Sequence, residues 1–183
     1  MTLSIALCPG HHKQAKGAVN KKYGLNEHDE AIKVVSHLNE LLTAAGCSVS
    51  VFTGKLGQKI RKINEGSFHL ALDIHFNAGG GKGCEVIYVP HSAQRKEQAS
   101  VISEEIALHM SLRDRGPKEG WYQGGEFPGT KPDAFVAQTN CCAFIPEPGF
   151  LDDNSFCEYW LVAGRHEQIA QAIAHGIIEA FGG

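Results

Sequence analysis

The sequence predicts an α/β fold, a single domain with a mostly parallel, twisted sheet and helices on both faces. Apolar stretches of strand length, at residues 3–7, 47–51, 70–76, 84–89 and 142–146, alternate with longer segments of helical spacing. Hydrophobic residues make up 43% of the 183-residue chain and charged residues 20%, values of one ordinary globular domain with a substantial core. No internal repeat, low-complexity tract or linker divides it.

Leu3, Ile5 and Leu7 alternate with smaller residues in a first strand that ends at Pro9-Gly10, and a loop carries His11-His12 to Gly24. Asn26 is a good helix N-cap, with Glu27 and Asp29 in the first turn, where acids complement the helix dipole. Ile32, Val35, Leu38, Leu42 and Ala45 follow helical spacing, and Gly46 supplies the stop. Cys47, Val49 and Val51 form the inward face of a second strand, and a short helix over 58–65 leads into the third.

In that third strand Leu70, Leu72, Ile74 and Phe76 share one face, and Ala71, Asp73 and His75 share the other. Gly79-Gly80-Gly81 ends it. Residues 84–89 form a further strand closed by Pro90, and Ser92 caps a helix whose Ala99, Val101, Ile102, Ile106 and Met110 share a face. Between Arg113 and Asp133 the pattern dissolves into a long loop holding Trp121, Tyr122 and Phe127, which either wall a substrate or pack the loop down. Ala134–Gln138 and 142–146 read as late strands, 152–160 as a short helix, and 165–181 as an amphipathic helix burying Ile169, Ile173, Gly176, Ile177 and Ala180.

A net charge of −3 with no Lys/Arg block argues against nucleic acid or an anionic membrane surface as partner. No apolar run is long enough for membrane insertion across a bilayer. The N-terminus lacks a basic region, and Leu7 is too bulky for lipoprotein cleavage before Cys8, so no export signal is expected. Six cysteines without C-x-x-C spacing read as reduced thiols, most of them in apolar strands.

Four polar residues stand at element ends on this plan. His11 follows the first strand, Glu27 opens the first long helix, His75 ends the third strand and Glu147 ends a late one. Were those strands parallel, their carboxyl ends, where open α/β sheets keep ligand sites, would gather all four. Two imidazoles and a carboxylate are a ligand set for catalytic zinc, and a spare carboxylate beside them suits metal-assisted hydrolysis. The plain alternatives are a dipole-favouring acid at Glu27, a loop histidine at His11 and a core histidine at His75.

The motifs add a resemblance that runs through nearly the whole chain. Cys8-Pro9-Gly10-His11, Gly17-Ala18, Gly24-Leu25-Asn26-Glu27, Arg61-Lys62-Ile63-Asn64, Asp73-Ile74-His75-Phe76-Asn77-Ala78, Gly83-Cys84-Glu85-Val86, Arg115-Gly116 and Pro146-Glu147-Pro148-Gly149-Phe150-Leu151 with Asn154 occur in that order. In order and number they resemble the motifs of the zinc-dependent N-acetylmuramoyl-L-alanine amidases of bacterial cell-wall hydrolases and phage endolysins.

That resemblance implies Zn2+ held by His11, Glu27 and His75, with Glu147 catalytic. It implies peptidoglycan as substrate, cut at the amide between N-acetylmuramic acid and L-alanine. The family's Asp before Pro-Gly-His is Cys8 here, and its Ser before Ile-His is Asp73. Asp73 shares a strand face with His75 and could orient its imidazole from behind. His12, beside His11, is a rival ligand, and Cys8 a third possibility. A catalytic domain without export signal or separate wall-binding domain resembles a phage or prophage endolysin, made in the host cytoplasm and acting on the wall after release. Two other readings stay open. One is a zinc amidohydrolase of small N-acyl amino acids, with residues 113–133 as a lid. The other is a non-catalytic peptidoglycan-binding module, which a missing Glu147 or ligand would have favoured.

Overall fold

Six strands form one sheet, in the order β4-β1-β5-β8-β6-β7. They are β1 (Ser4–Pro9), β4 (Ser48–Val51), β5 (Leu70–Ile74), β6 (Cys84–Tyr88), β7 (Asp114–Glu119) and β8 (Cys142–Glu147). A two-residue pair, β2 (Val19–Asn20) and β3 (Leu25–Asn26), lies in the loop after β1. The helices are α1 (Glu27–Ala44), α2 (Leu56–Glu65), α3 (Ala93–Met110), α4 (Ala134–Gln138), α5 (Asn154–Phe156, continued by a π-helical turn over Cys157–Val162) and α6 (His166–Phe181). The computed structural model describes residues 2–122 and 129–182.

β4, β1, β5 and β8 run parallel, whereas β6 pairs antiparallel with β8 and parallel with β7. The sheet is mostly parallel, as the alternation of elements predicts. The reversal at β6 has a local effect: register pairs Glu85 with Glu147, so two carboxylate residues lie opposite each other across neighbouring strands.

Each face of the sheet is covered. Ile5, Leu7, Leu70, Leu72, Ile74 and Phe144 pack with the apolar faces of α1, α3 and α6. Ala6, Cys8, Ala71, Ala143 and Ile145 pack with Ile60 and Ile63 of α2 and Phe135 and Val136 of α4. Burial on both sides explains why β5 is buried along its whole length. α3 and α6 approach closely because position 176 is glycine: a Cβ there would lie 2.9 Å from Cα of Ile102.

Four local expectations need correction. Ala134–Gln138 is a helix, with the Asp133 side chain accepting from the amide of Phe135; a five-residue apolar run does not distinguish strand from helix by period. The first part of the supposed 113–133 loop is β7, whose sequence Asp-Arg-Gly-Pro-Lys-Glu shows no alternation. β7 is an edge strand beside a register irregularity, where Pro117 is tolerated and neither face must be apolar. Val51 is 44% exposed because β4 is the opposite edge. Ile32 is 40% exposed, and α1 buries Ala31 and Val34 with Val35, Leu38 and Leu42 instead. Of the aromatics expected in the loop, Phe127 lies outside the described residues.

The caps at Asn26 and Ser92 are as expected: their side chains accept from the amides of Asp29 and Arg95. All six cysteines are free thiols. Among the described residues no helix is long and apolar enough to cross a membrane.

Candidate active site

Backbone hydrogen bonds join the carboxyl ends of three parallel strands beyond the sheet itself. The Gly10 amide donates to the carbonyl of Ile74 (2.8 Å), and the His75 amide to that of Pro146 (3.1 Å). Farther on, Asn77 donates to Gly149 and Leu151 to Asn77. These bonds fix His11, His75 and Glu147 to one edge. Gly10 is needed there, since a Cβ would lie 2.8 Å from both the His75 ring and the Ile74 carbonyl.

Glu27, the first residue of α1, reaches that edge from the side. Its Oε2 lies 2.9 Å from Nε2 of His11, and its Oε1 lies 2.8 Å from Nδ1 of His75. It also accepts from the amides of Ala18 (2.9 Å) and Phe76 (3.2 Å). Gly17 makes the Ala18 strap possible. Its φ is +77°, and a Cβ would fall 2.3 Å from Oε2 of Glu27 and 2.4 Å from the His11 ring. His11 has φ of 57°, a left-handed conformation that bends its side chain off the line of β1.

One ligand atom each from His11, Glu27 and His75 can be chosen so that all lie within 4.8 Å of one another. Two imidazole nitrogens and a carboxylate oxygen at this spacing match the donor set of a catalytic zinc site. The electrostatics agree with a site built for a cation. Burial works against ionisation of Glu27, yet hydrogen bonds from His11 and His75 hold its carboxyl well below the usual carboxylate range. Burial also opposes charge on His75, but Asp73 and Glu27 outweigh it and raise its pKa to about 10.

Glu147 lines the same cleft of about 450 Å³ as His11, His75, Phe135 and Ile145. Burial raises its pKa to about 8; His75 pulls the other way, while Glu85 and Glu27 add to the rise. Glu85 is itself fixed, accepting from Asn77 Nδ2 (2.7 Å) and from Arg115, whose guanidinium lies over the Phe150 ring. A second cleft of about 400 Å³, lined by Trp121, Lys118, Glu119 and Glu85, shares Ile87, Asp133 and Glu147 with the first.

The structure separates the sequence-level rivals. His12 also lines the cleft, but its Nδ1 pairs with Gln14 (3.0 Å) and it is outside the His11–Glu27–His75 group. Cys8 is fully buried and its thiol is pushed far up by burial, then by Asp73, so it keeps its proton. Asp73 lies 3.4 Å from Nε2 of His75, behind the ring, as sharing a strand face suggested. Lys59 went unread. Its ammonium contacts both Asp73 oxygens at 2.7 Å, and in sequence it is one more polar residue of an amphipathic helix.

Comparison with known proteins bears on the family and the fold. The model of the family described as N-acetylmuramoyl-L-alanine amidase matches residues 5–179. The chain is 28% identical over 187 residues to the N-acetylmuramoyl-L-alanine amidase CwlM of Bacillus licheniformis, covering 98% of this chain and 69% of that protein. Its fold is similar to that of an N-acetylmuramoyl-L-alanine amidase from Clostridium difficile, with TM-score 0.81, 22% identity and coverage of 97% and 96%. It is also similar to the catalytic domain of an endolysin targeting Clostridia Difficile, with TM-score 0.78, 22% identity and 97% of each chain covered. With the family model spanning nearly the whole sheet and the helices around it, the chain belongs to the N-acetylmuramoyl-L-alanine amidase family.

Proposed function

We propose that the protein is a zinc-dependent peptidoglycan hydrolase that cuts the amide between N-acetylmuramic acid and L-alanine, with Glu147 as its acid–base residue. The observation that carries this reading is the placement of Glu147 in one cleft with His11 and His75, the two histidines that Glu27 bridges. His11, Glu27 and His75 would hold the metal. Bound there, zinc would supply a Lewis acid for the amide carbonyl and lower the pKa of water towards ~7.

The chain's own groups do the rest. A Glu147 oxygen takes the proton of the attacking water and then gives it to the departing L-alanine nitrogen, so no net proton is needed. Phe135, Ile87 and Ile145 give the cleft apolar walls, which strengthen the electrostatic interactions within it.

The two contiguous clefts favour a polymer over a small N-acyl amino acid. Glu147 stands between them, so substrate can extend to both sides of the cut bond. We extend the proposal to phage or prophage lysis, with synthesis in the host cytoplasm and action on the wall after release; the fold is shared alike by an endolysin catalytic domain and by a bacterial amidase.

Mass spectrometry of fragments released from purified peptidoglycan tests the reaction. The expected products are free stem peptides with an L-alanine N-terminus and glycan strands with unsubstituted lactyl carboxyls. New reducing sugar ends, or cuts within the stem peptide, would reject the proposed bond. Turnover of N-acyl amino acids with intact peptidoglycan untouched would favour the small-substrate reading.

A further inference from the structure

Lys59 has no part in the chemistry above, yet it is 1% exposed and pairs with Asp73, itself 2% exposed. Taking two charges out of water is unfavourable unless close partners compensate them, and an apolar pair of similar volume often serves a core at least as well. A buried ion pair beside the cleft therefore calls for a use.

The contacts point to one. The Lys59 ammonium has three N–H donors and three acceptors: both oxygens of Asp73 at 2.7 Å and the carbonyl of Pro9 at 3.1 Å. Pro9 closes β1, the strand that leads through Gly10 to His11. Lys59, from α2, thus braces the ends of both histidine-bearing strands. Asp73 also lies 3.4 Å from Nε2 of His75. Two contacts at 2.7 Å outweigh one at 3.4 Å, so Lys59 sets where that carboxylate stands and His75 aligns to it.

The alignment matters because His75 presents its two nitrogens to different partners. Nδ1 faces Glu27 at 2.8 Å and Nε2 faces Asp73. A neutral imidazole has one N–H and one lone pair. Nδ1 can give its lone pair to a cation only if Nε2 keeps the proton, and a carboxylate beside Nε2 favours that tautomer.

We propose that Lys59 is a positioning residue of the metal site, which through Asp73 fixes the ring orientation and the Nε2–H tautomer of His75. This rests on the zinc reading above. Lys59 lines the cleft, but its ammonium is taken up by Asp73 and the Pro9 carbonyl, and it acts by holding its neighbour.

The test uses zinc-loaded protein and two readouts, zinc affinity by chelator competition and the His75 side-chain signals by 15N NMR. Wild type should show a slowly exchanging Nε2 proton on His75. Lys59→Met should lose it and bind zinc about 10–100-fold more weakly, the scale for groups that orient a metal ligand. Because the two residues act in series, Asp73→Asn should give the same loss, and the double variant should lose little more than either single one. A lysine that merely stabilised the fold would lower the melting temperature and leave both readouts unchanged. That outcome overturns the proposal, as would additive losses in the double variant. Should Lys59→Met fail to fold, the double variant removes both charges together; if it folds and keeps wild-type affinity and the Nε2 proton, the proposal is wrong. Wild type that binds no zinc would overturn the zinc reading and this inference together, whereas equal zinc binding by wild type and Lys59→Met overturns only the inference.

Discussion

Replacing His75 with alanine is expected to abolish stoichiometric zinc binding and with it hydrolysis of peptidoglycan, while leaving a folded protein. In the proposed site His75 would supply one of three donor atoms, and its Nδ1 lies 2.8 Å from Glu27, the residue that also contacts His11. Removing the imidazole leaves one nitrogen and one carboxylate, too few ligands for a closed zinc coordination set. The fold should survive because the ring stands at the cleft edge, while Leu72 and Ile74 on the same strand fill the core. Elemental analysis and far-UV circular dichroism of one preparation check both halves. A full zinc equivalent in the folded variant would remove His75 from the ligand set. His12→Ala is the control: with Nδ1 engaged by Gln14, His12 should be dispensable for the metal, and zinc loss there would exchange the roles of the two histidines.

Glu147→Gln should separate binding from turnover. The amide keeps the size of the side chain but removes the basic oxygen. Loss of a general base typically lowers rate by about 10²–10⁴-fold, and by more where the same group also protonates the leaving nitrogen. Zinc affinity should stay near that of the parent, since Glu147 lies outside the group formed by His11, Glu27 and His75. The backbone should not move: Cys142–Glu147 is held in the sheet by β5 on one side and β6 on the other. Turnover at the wild-type rate would exclude Glu147 as the base, and loss of zinc would make it a ligand. Measured together with His75→Ala, the variant distinguishes an enzyme that cannot load its metal from one that loads it and cannot move the proton.

Much of the architecture was legible because the buried elements carry strong periods. β5 could be read from Leu70, Leu72 and Ile74, and α6 from Ile169, Ile173 and Ile177, because their apolar positions must meet the core. Elements under weaker pressure were not legible. β7 needs no apolar face at the sheet edge, and α4 is too short for its period to declare itself. At the site, His11, Glu27, His75 and Glu147 could be singled out because each sits at the end of an element or in a quoted motif. The pairing of Glu85 with Glu147 could not, since it depends on β6 running against β8. Lys59 was hidden for a different reason. A lysine on a short helix is nearly always solvated, and only the tertiary contact with Asp73 shows that this one is buried.

The grip of Glu27 and Asp73 on His75 also sets the charge of the site when it holds no metal. With its pKa raised to about 10, metal-free His75 carries a proton at neutral pH, and the imidazolium sits between the carboxylates of Glu27 and Asp73. A group whose folded pKa is raised stabilises the fold most below its unfolded value of 6.5, and the contribution fades as pH climbs through about 10. If zinc is the bound ion, a chelator at pH 7 would therefore exchange one cation for another instead of leaving a hole in the charge. Small domains can unfold when stripped of metal; on the zinc proposal this one would keep a stand-in, and loading with zinc would displace a proton.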